Sequence, residues 1–287
     1  MYAILGATGQ VGGAVLDTLL AQEPAERIRA VGRRRPARLP REAEWRHADL
    51  RGDTAALADA LAGATAAFVL SPLSPGAPDV HAEGEALART LAEAVVRSGC
   101  PRVVALSSQG AHLARGTGVI GTLHALEAAL RRTGARTTFL RSTFFMQSWL
   151  PFAQAAMASG TWHAMHVPLD APLDAVSARD VGACAARLMR EPDPPAIVNI
   201  GGAGAWSERD VAGIVARLAG RPIEVVAVPP ERRADVLCAA GLGRSHAQAL
   251  AEMHAAIEAG AVPFEPVPRT EHGTESLEEV VARSFAG

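Results

Sequence analysis

The chain has 287 residues with 28 Lys+Arg against 30 Asp+Glu, and every one of the basic residues is arginine. The absence of lysine excludes pyridoxal-phosphate chemistry, Schiff-base aldolases and P-loop nucleotidases, which need an amine at a fixed place; the only tyrosine, Tyr2, closes any mechanism that pairs Tyr with Lys. A net charge of −2 gives no global attraction for nucleic acid or an anionic membrane, and Cys100, Cys184 and Cys238 stand in no metal-ligand or disulfide spacing.

In chain order, short apolar runs alternate with amphipathic segments. Tyr2 to Leu5 is a predicted strand, and Val11, Val15, Leu16, Leu19 and Leu20 fall on one face of a helix after it. Strands are expected at Arg29 to Val31 and Trp45 to Ala48, a helix at Thr54 to Leu61, and a strand at Ala66 to Leu70 ending in Ser71-Pro72. A long helix through Val80, Leu87, Leu91 and Val95 stops at Gly99 and Pro101. Strand Val103 to Leu106, helix Val119 to Arg132 and strand Thr137 to Arg141 follow.

Beyond residue 150 the alternation loosens. Helix Asp180 to Met189 and strand Ala196 to Ile200 are expected to return to the first sheet, before Trp206 to Leu218, Ile223 to Val228 and Leu250 to Ala259 give helix, strand and helix. The expected fold class is α/β, a doubly wound parallel Rossmann sheet with a smaller C-terminal α/β lobe. Residues 1–150 form the nucleotide-binding part and 151–287 the substrate lobe and C-terminal elements, with about 176–200 returning to the first part. The sequence opens on no basic-then-apolar leader and has no apolar run near the roughly 18 residues of a membrane span, so the expected compartment is the cytoplasm.

Gly6-Ala7-Thr8-Gly9-Gln10-Val11-Gly12 joins the first strand to the first helix. Gly6 permits the tight turn, Gly9 lets a diphosphate approach the backbone, and Gly12 lets helix and strand pack closely; the helix N-terminus then offers free amides to the anion. The second strand ends Val31-Gly32-Arg33-Arg34-Arg35, with no acid for a ribose 2′-hydroxyl. Arginines there suit the 2′-phosphate of NADP, with Arg33 as first choice and Arg34 as second. A solvated basic loop or a nucleic-acid patch are the competing readings, and no aromatic stacking platform accompanies the arginines.

Together with these motifs, Ser107-Ser108-Gln109-Gly110-Ala111, Leu126 to Arg131, Leu140 to Gln147, Glu252-Met253, Gly273-Thr274 and Leu277 to Val280 resemble the NmrA-like family of atypical short-chain dehydrogenases/reductases. The resemblance spans nearly the whole chain. It implies NADP(H) binding in a Rossmann domain with a small lobe closing a cleft, and it admits both NADPH-dependent reductases and redox-sensing regulators. By position it also implies that Leu70, Ser71, Pro72 and Leu73 border the nicotinamide, that Asp49 and Leu50 meet adenine, and that Ser107 and the turn Ser142, Thr143, Phe144 and Phe145 lie near the nicotinamide. Two departures stand out: where members often carry Lys four residues before the equivalent of Glu127 this chain has Leu123, and after Arg141 it has Ser142 in place of Pro.

The remaining candidates for proton transfer are His124 and Ser107, with Thr122 and Ser108 behind them. His124, Glu127 and Arg131 share a helical face, so Glu127 either orients the imidazole or pairs with Arg131. His163 and His166 have no neighbouring acid or thiol in metal-binding spacing, and no metal is expected. Of the twelve Phe, Trp and Tyr residues, six fall between Phe139 and Trp162. Phe145, Trp149 and Trp162 are the candidate substrate contacts, suited to a flat apolar ligand. The expected activity is NADPH-dependent reduction of a small apolar carbonyl or quinone; the alternative is a non-catalytic NADP(H) sensor that binds a protein partner according to redox state. Neither reading involves nucleic acid or a membrane.

Overall fold

The computed structural model describes residues 1–285. Its first half runs β1 (Tyr2–Leu5), α1 (Gln10–Leu20), β2 (Ile28–Gly32), β3 (Glu44–His47), α2 (Thr54–Leu61), β4 (Ala66–Val69), α3 (Val80–Ser98), β5 (Arg102–Ser108), α4 (Gly121–Leu130) and β6 (Arg136–Ser142). Every position of β1, β2 and β4 is buried. Strands buried on both faces read as unbroken apolar runs, which is why these were legible without alternation.

The second half runs β7 (Phe144–Phe145), α5 (Leu150–Ser159), β8 (Thr161–Ala164), β9 (Leu173–Val176), α6 (Ala178–Arg190), β10 (Ile197–Gly201), β11 (Gly204–Trp206), α7 (Glu208–Ala219), β12 (Glu224–Ala227), α8 (Arg233–Ala239), α9 (Arg244–Glu258), β13 (Thr270–His272) and α10 (Leu277–Phe285). The main sheet has eight strands in the order β13-β10-β6-β5-β4-β1-β2-β3, and every pairing in it is parallel. On one face Leu16 and Leu19 of α1 pack with Val181 and Leu188 of α6 over Ile4 and Phe68. Leu57 and Leu61 of α2, Leu87 and Leu91 of α3, and Leu126 and Leu130 of α4 cover the other face. The fold is α/β, doubly wound, with strand order reversing between β1 and β4. That switch point opens a crevice at the carboxyl ends of the strands.

Two small sheets lie outside the main one, β11-β9-β7 and the pair β12-β8. They enclose a separate core of Met146, Trp149, Trp162, Val211, Ile214, Leu277 and Val280. Strands β7, β8, β9, β11 and β13 and helices α5, α8 and α10 are absent from the sequence reading, and α9 is longer than expected. Helix α5 is new; its sequence is apolar around most of its circumference and gives little periodic signal, though Pro151 in its first turn suits a helix start. Helix α9 begins six residues before Leu250, because Ala247 and Ala249 supply buried contacts too small to register as an apolar stripe. The three residues of β13 extend the sheet edge beside β10 and carry no hydrophobic pattern at all. Among the described residues no helix is long and apolar enough to cross a membrane.

Candidate active site

Several helices begin with a polar side-chain cap, and α1 is among those that do not. Asp53, Asp79, Ser177 and Ser207 cap α2, α3, α6 and α7 by accepting backbone N–H groups. Helix α1 starts after Gly9 with no side-chain cap and no acid in its first turn. Gly6 takes φ +67°, and the Gly9 N–H donates to the Gly6 carbonyl at 2.8 Å to close the turn. The Gly13 N–H reaches the Gly9 carbonyl at 2.8 Å as the first helical bond, which leaves the amides of Gln10, Val11 and Gly12 outside the helical ladder. Three free donors at the positive end of a helix, with no carboxylate to take them, form an anion site. The cradle tolerates no side chain at Gly12: a Cβ there would lie 2.3 Å from the Gly6 oxygen.

This turn forms one wall of a crevice of about 320 Å³. Of the sequence-predicted cofactor contacts, Gly6, Thr8, Gly9, Gln10, Val11, Gly12, Arg33, Asp49, Leu50, Leu70 and Pro72 line it, joined by Gly32, Arg51 and Leu106. Arg33 is exposed and has no acidic partner among the described residues, whereas Arg29 pairs with Glu44 at 2.6 Å and Arg38 with Asp17. Arg34 is exposed but lies outside the crevice lining. Ser71, Ser107, Ser142, Thr143 and Phe144 also fall outside it; the Ser71 hydroxyl is buried without a partner, and Ser107, Ser142 and Thr143 are buried. A larger hollow, about 1060 Å³, lies beyond α1 towards α6 and α10. It is open, and charged groups that line it are already paired, Arg38 with Asp17 and Arg283 with Glu275, so the smaller crevice is the better ligand site.

Beside the crevice, the ends of β5 and β6 carry a buried ionic network. Glu127 accepts the Ser107 hydroxyl at 2.7 Å, Arg141 Nε and Nη2 at 2.8 Å each, and Arg131 Nη2 at 2.9 Å. Arg141 Nη1 also donates to Glu265 at 2.6 Å. Burial pushes the Glu127 carboxyl up, but the bonds from Arg141, Ser107 and Arg131 outweigh it and hold the group below its usual range. Burial likewise disfavours the Arg141 charge, and Glu127 and Glu265 more than restore it. Glu127 therefore does not orient His124, whose Nδ1 meets the Ala111 carbonyl at 2.9 Å. The Ser107 proton is committed to a carboxylate, so neither proposed proton donor is poised by this network.

The aromatic residues line a different cavity, of about 400 Å³ and mostly apolar, walled by Phe144, Trp149, Phe152 and Trp162 with Leu237, Leu250 and Met253. Trp149 and Trp162 occupy it as the sequence suggested for substrate contacts. Phe144, expected near the cofactor, lines this cavity, while Phe145, expected both beside the nicotinamide and at the substrate, packs with Leu70 and Leu106 against the sheet core. Strand alternation in β7 is the cause. The cavity also contains polar groups that the sequence reading missed, Glu208 and His254, beside His166. Glu208 accepts Trp162 Nε1 at 2.7 Å, the backbone N–H of Met165 and His166 at 3.1 and 3.0 Å, and His166 Nδ1 at 3.0 Å. His166 Nε2 lies 2.8 Å from His254 Nδ1. Burial first, then the neighbouring His166 and Arg233, lower the His254 pKa well below the ordinary 6.5.

The NmrA-like family model matches residues 2–280, the span that holds both cavities. The chain belongs to the NmrA-like family. It is 28% identical to an NAD(P)H azoreductase of Xenophilus azovorans over 89% of this chain and 86% of that one. It is 32% identical to a (4-alkanoyl-5-oxo-2,5-dihydrofuran-3-yl)methyl phosphate reductase of Streptomyces griseus over 78% of this chain and 75% of that one. The structure of an NADPH-dependent quinone oxidoreductase of Escherichia coli in complex with NADPH superposes with a TM-score of 0.80 at 25% identity, covering 99% of this chain and 100% of that one. As an NmrA-like chain it retains the glycine turn in full, while Leu123 keeps lysine out of α4.

Proposed function

We propose that this NmrA-like chain is an NADPH-dependent reductase of a small, flat, apolar carbonyl or quinone. The observation that carries the cofactor half is the uncapped start of α1, whose free amides face the same crevice as the unpaired Arg33. The amides of Gln10, Val11 and Gly12 hold the diphosphate, and Arg33 takes the 2′-phosphate as a bidentate donor. Asp49 and Leu50 bound the adenine end, while Leu70, Pro72 and Leu106 make the apolar wall at the other. NADPH supplies the hydride, so the protein's contribution is binding, orientation and electrostatics. The buried Glu127–Arg141 pair ties α4 to β6 next to the crevice and keeps that wall rigid. The substrate half rests on the cavity of Phe144, Trp149 and Trp162, and the reductases among the relatives support it.

NADPH oxidation measured across quinones, azo compounds and aldehydes tests the reading. Turnover above background with at least one class is expected. Tight NADPH binding with no turnover on any of them sinks it, and pull-downs loaded separately with NADP+ and NADPH would then test the sensor alternative.

A further inference from the structure

The polar groups in the aromatic cavity form a chain with a defined proton order. The Glu208 carboxyl oxygens accept three fixed donors, Trp162 Nε1 and the backbone N–H groups of Met165 and His166, and face His166 Nδ1 as acceptors. His166 Nδ1 must then carry a hydrogen. Only one proton fits between His166 Nε2 and His254 Nδ1, and with both rings neutral it sits on His254. His254 Nε2 is left as a bare acceptor. It has no protein partner among the described residues, is not sealed from solvent, and belongs to a ring that lines the cavity. Of the other charges packed nearby, Arg233 donates twice to Glu258, at 2.9 and 2.6 Å, with its Nε buried and unpartnered, and Glu258 also accepts the Val167 N–H. His163, the remaining titratable group of the lining, is exposed.

We propose that this cavity binds a planar hydroxylated aromatic, a phenol or naphthol, whose hydroxyl donates to His254 Nε2, with Glu208 acting through His166 as the positioning residue that holds the accepting tautomer. Apolar walls of Phe144, Trp149 and Trp162 and one polar acceptor form the combination that fixes a flat ligand in one orientation. The inference rests on reading this cavity as the substrate site. A hydroxyarene is also what a quinone becomes on gaining two electrons and two protons, so the same site would hold the reduced product.

The test is equilibrium binding of 1-naphthol, 1-methoxynaphthalene and naphthalene to the full chain without cofactor, followed by tryptophan fluorescence and calorimetry. The naphthol should bind about tenfold more tightly than its methyl ether, the worth of one net hydrogen bond. His254→Leu should abolish that preference while naphthalene still binds, and His254→Gln, which keeps an acceptor, should retain part of it. Glu208→Gln should lower naphthol affinity more than naphthalene affinity, and an equal loss for both would mark a purely structural role and remove Glu208 as the positioning residue. Equal affinity for naphthol and ether in the wild type, or an unchanged preference in His254→Leu, overturns the proposal. If no arene binds while quinone-dependent NADPH oxidation persists, the cavity assignment fails and the reductase reading stands. If the preference is present and NADPH is not consumed, the inference stands and the reductase reading falls.

Discussion

Gly12→Ala probes the cofactor cradle with a single methyl group. The new Cβ would lie 2.3 Å from the Gly6 oxygen, 2.8 Å from the Gly6 carbonyl carbon and 3.0 Å from the Leu5 oxygen. All three are backbone atoms and cannot swing aside. Restoring ordinary contact at 3.4 Å requires the end of β1 and the start of α1 to part by about 1 Å. The overpacking costs about 1–3 kcal/mol and is partly offset by about 1 kcal/mol of better helix propensity, so the protein should still fold. The binding cost adds to this, because the three amides move off the diphosphate together, and losing even one charge-assisted bond of about 1.5–3 kcal/mol weakens NADPH by about tenfold or more. Gly13→Ala is the control. Its Cβ would crowd the end of the flexible, exposed Arg38 side chain and otherwise make ordinary contact with the Ala7 oxygen at 3.7 Å, and NADPH affinity should change by no more than about twofold. Calorimetric titration with NADPH and urea unfolding separate the two effects. If Gly12→Ala binds NADPH like the wild type, or Gly13→Ala loses it equally, the assignment of α1 as the diphosphate site is refuted.

Arg33→Ala should weaken NADPH by about tenfold to a hundredfold, the worth of its charge-assisted bonds, and leave NADH unchanged; equal loss for both contradicts the 2′-phosphate contact. Arg141→Ala should lower stability by about 3–5 kcal/mol in urea, because Glu127 would remain buried without its main partner. A loss below about 1 kcal/mol would mean that the network is solvated. Stability should also decline with acid in two stages. His254 takes up a proton less readily folded than unfolded, so stability present above about pH 6.5 falls as pH drops below it. Glu127, also depressed, adds a second loss below about pH 4.5. Unfolding across a pH series checks this, and His254→Gln should flatten the first stage only.

The sheet and the glycine turn were legible because their signals are local. Gly6 to Gly12 read in full, and the buried runs of β1 and β4 needed no periodicity. The site at the sheet's carboxyl edge was only half legible. The spacing of His124, Glu127 and Arg131 marked a helix face, but Arg141 and Ser107 arrive from two neighbouring strands, and together they take Glu127 away from the imidazole. The sides taken by Phe144 and Phe145 were not legible because a two-residue strand leaves no alternation to count. The Glu208–His166–His254 chain was out of reach: its members stand 42 and 88 residues apart, and His254 lies in a helix whose remaining pattern looks solvated.

The most direct test of the account is a single-turnover experiment in which protein carrying bound NADPH is mixed with excess naphthoquinone and followed by reduced-nicotinamide fluorescence and by product analysis. One hydroquinone formed for each bound NADPH consumed is the expected result. NADPH that remains bound and reduced while the quinone is recovered unchanged would contradict it.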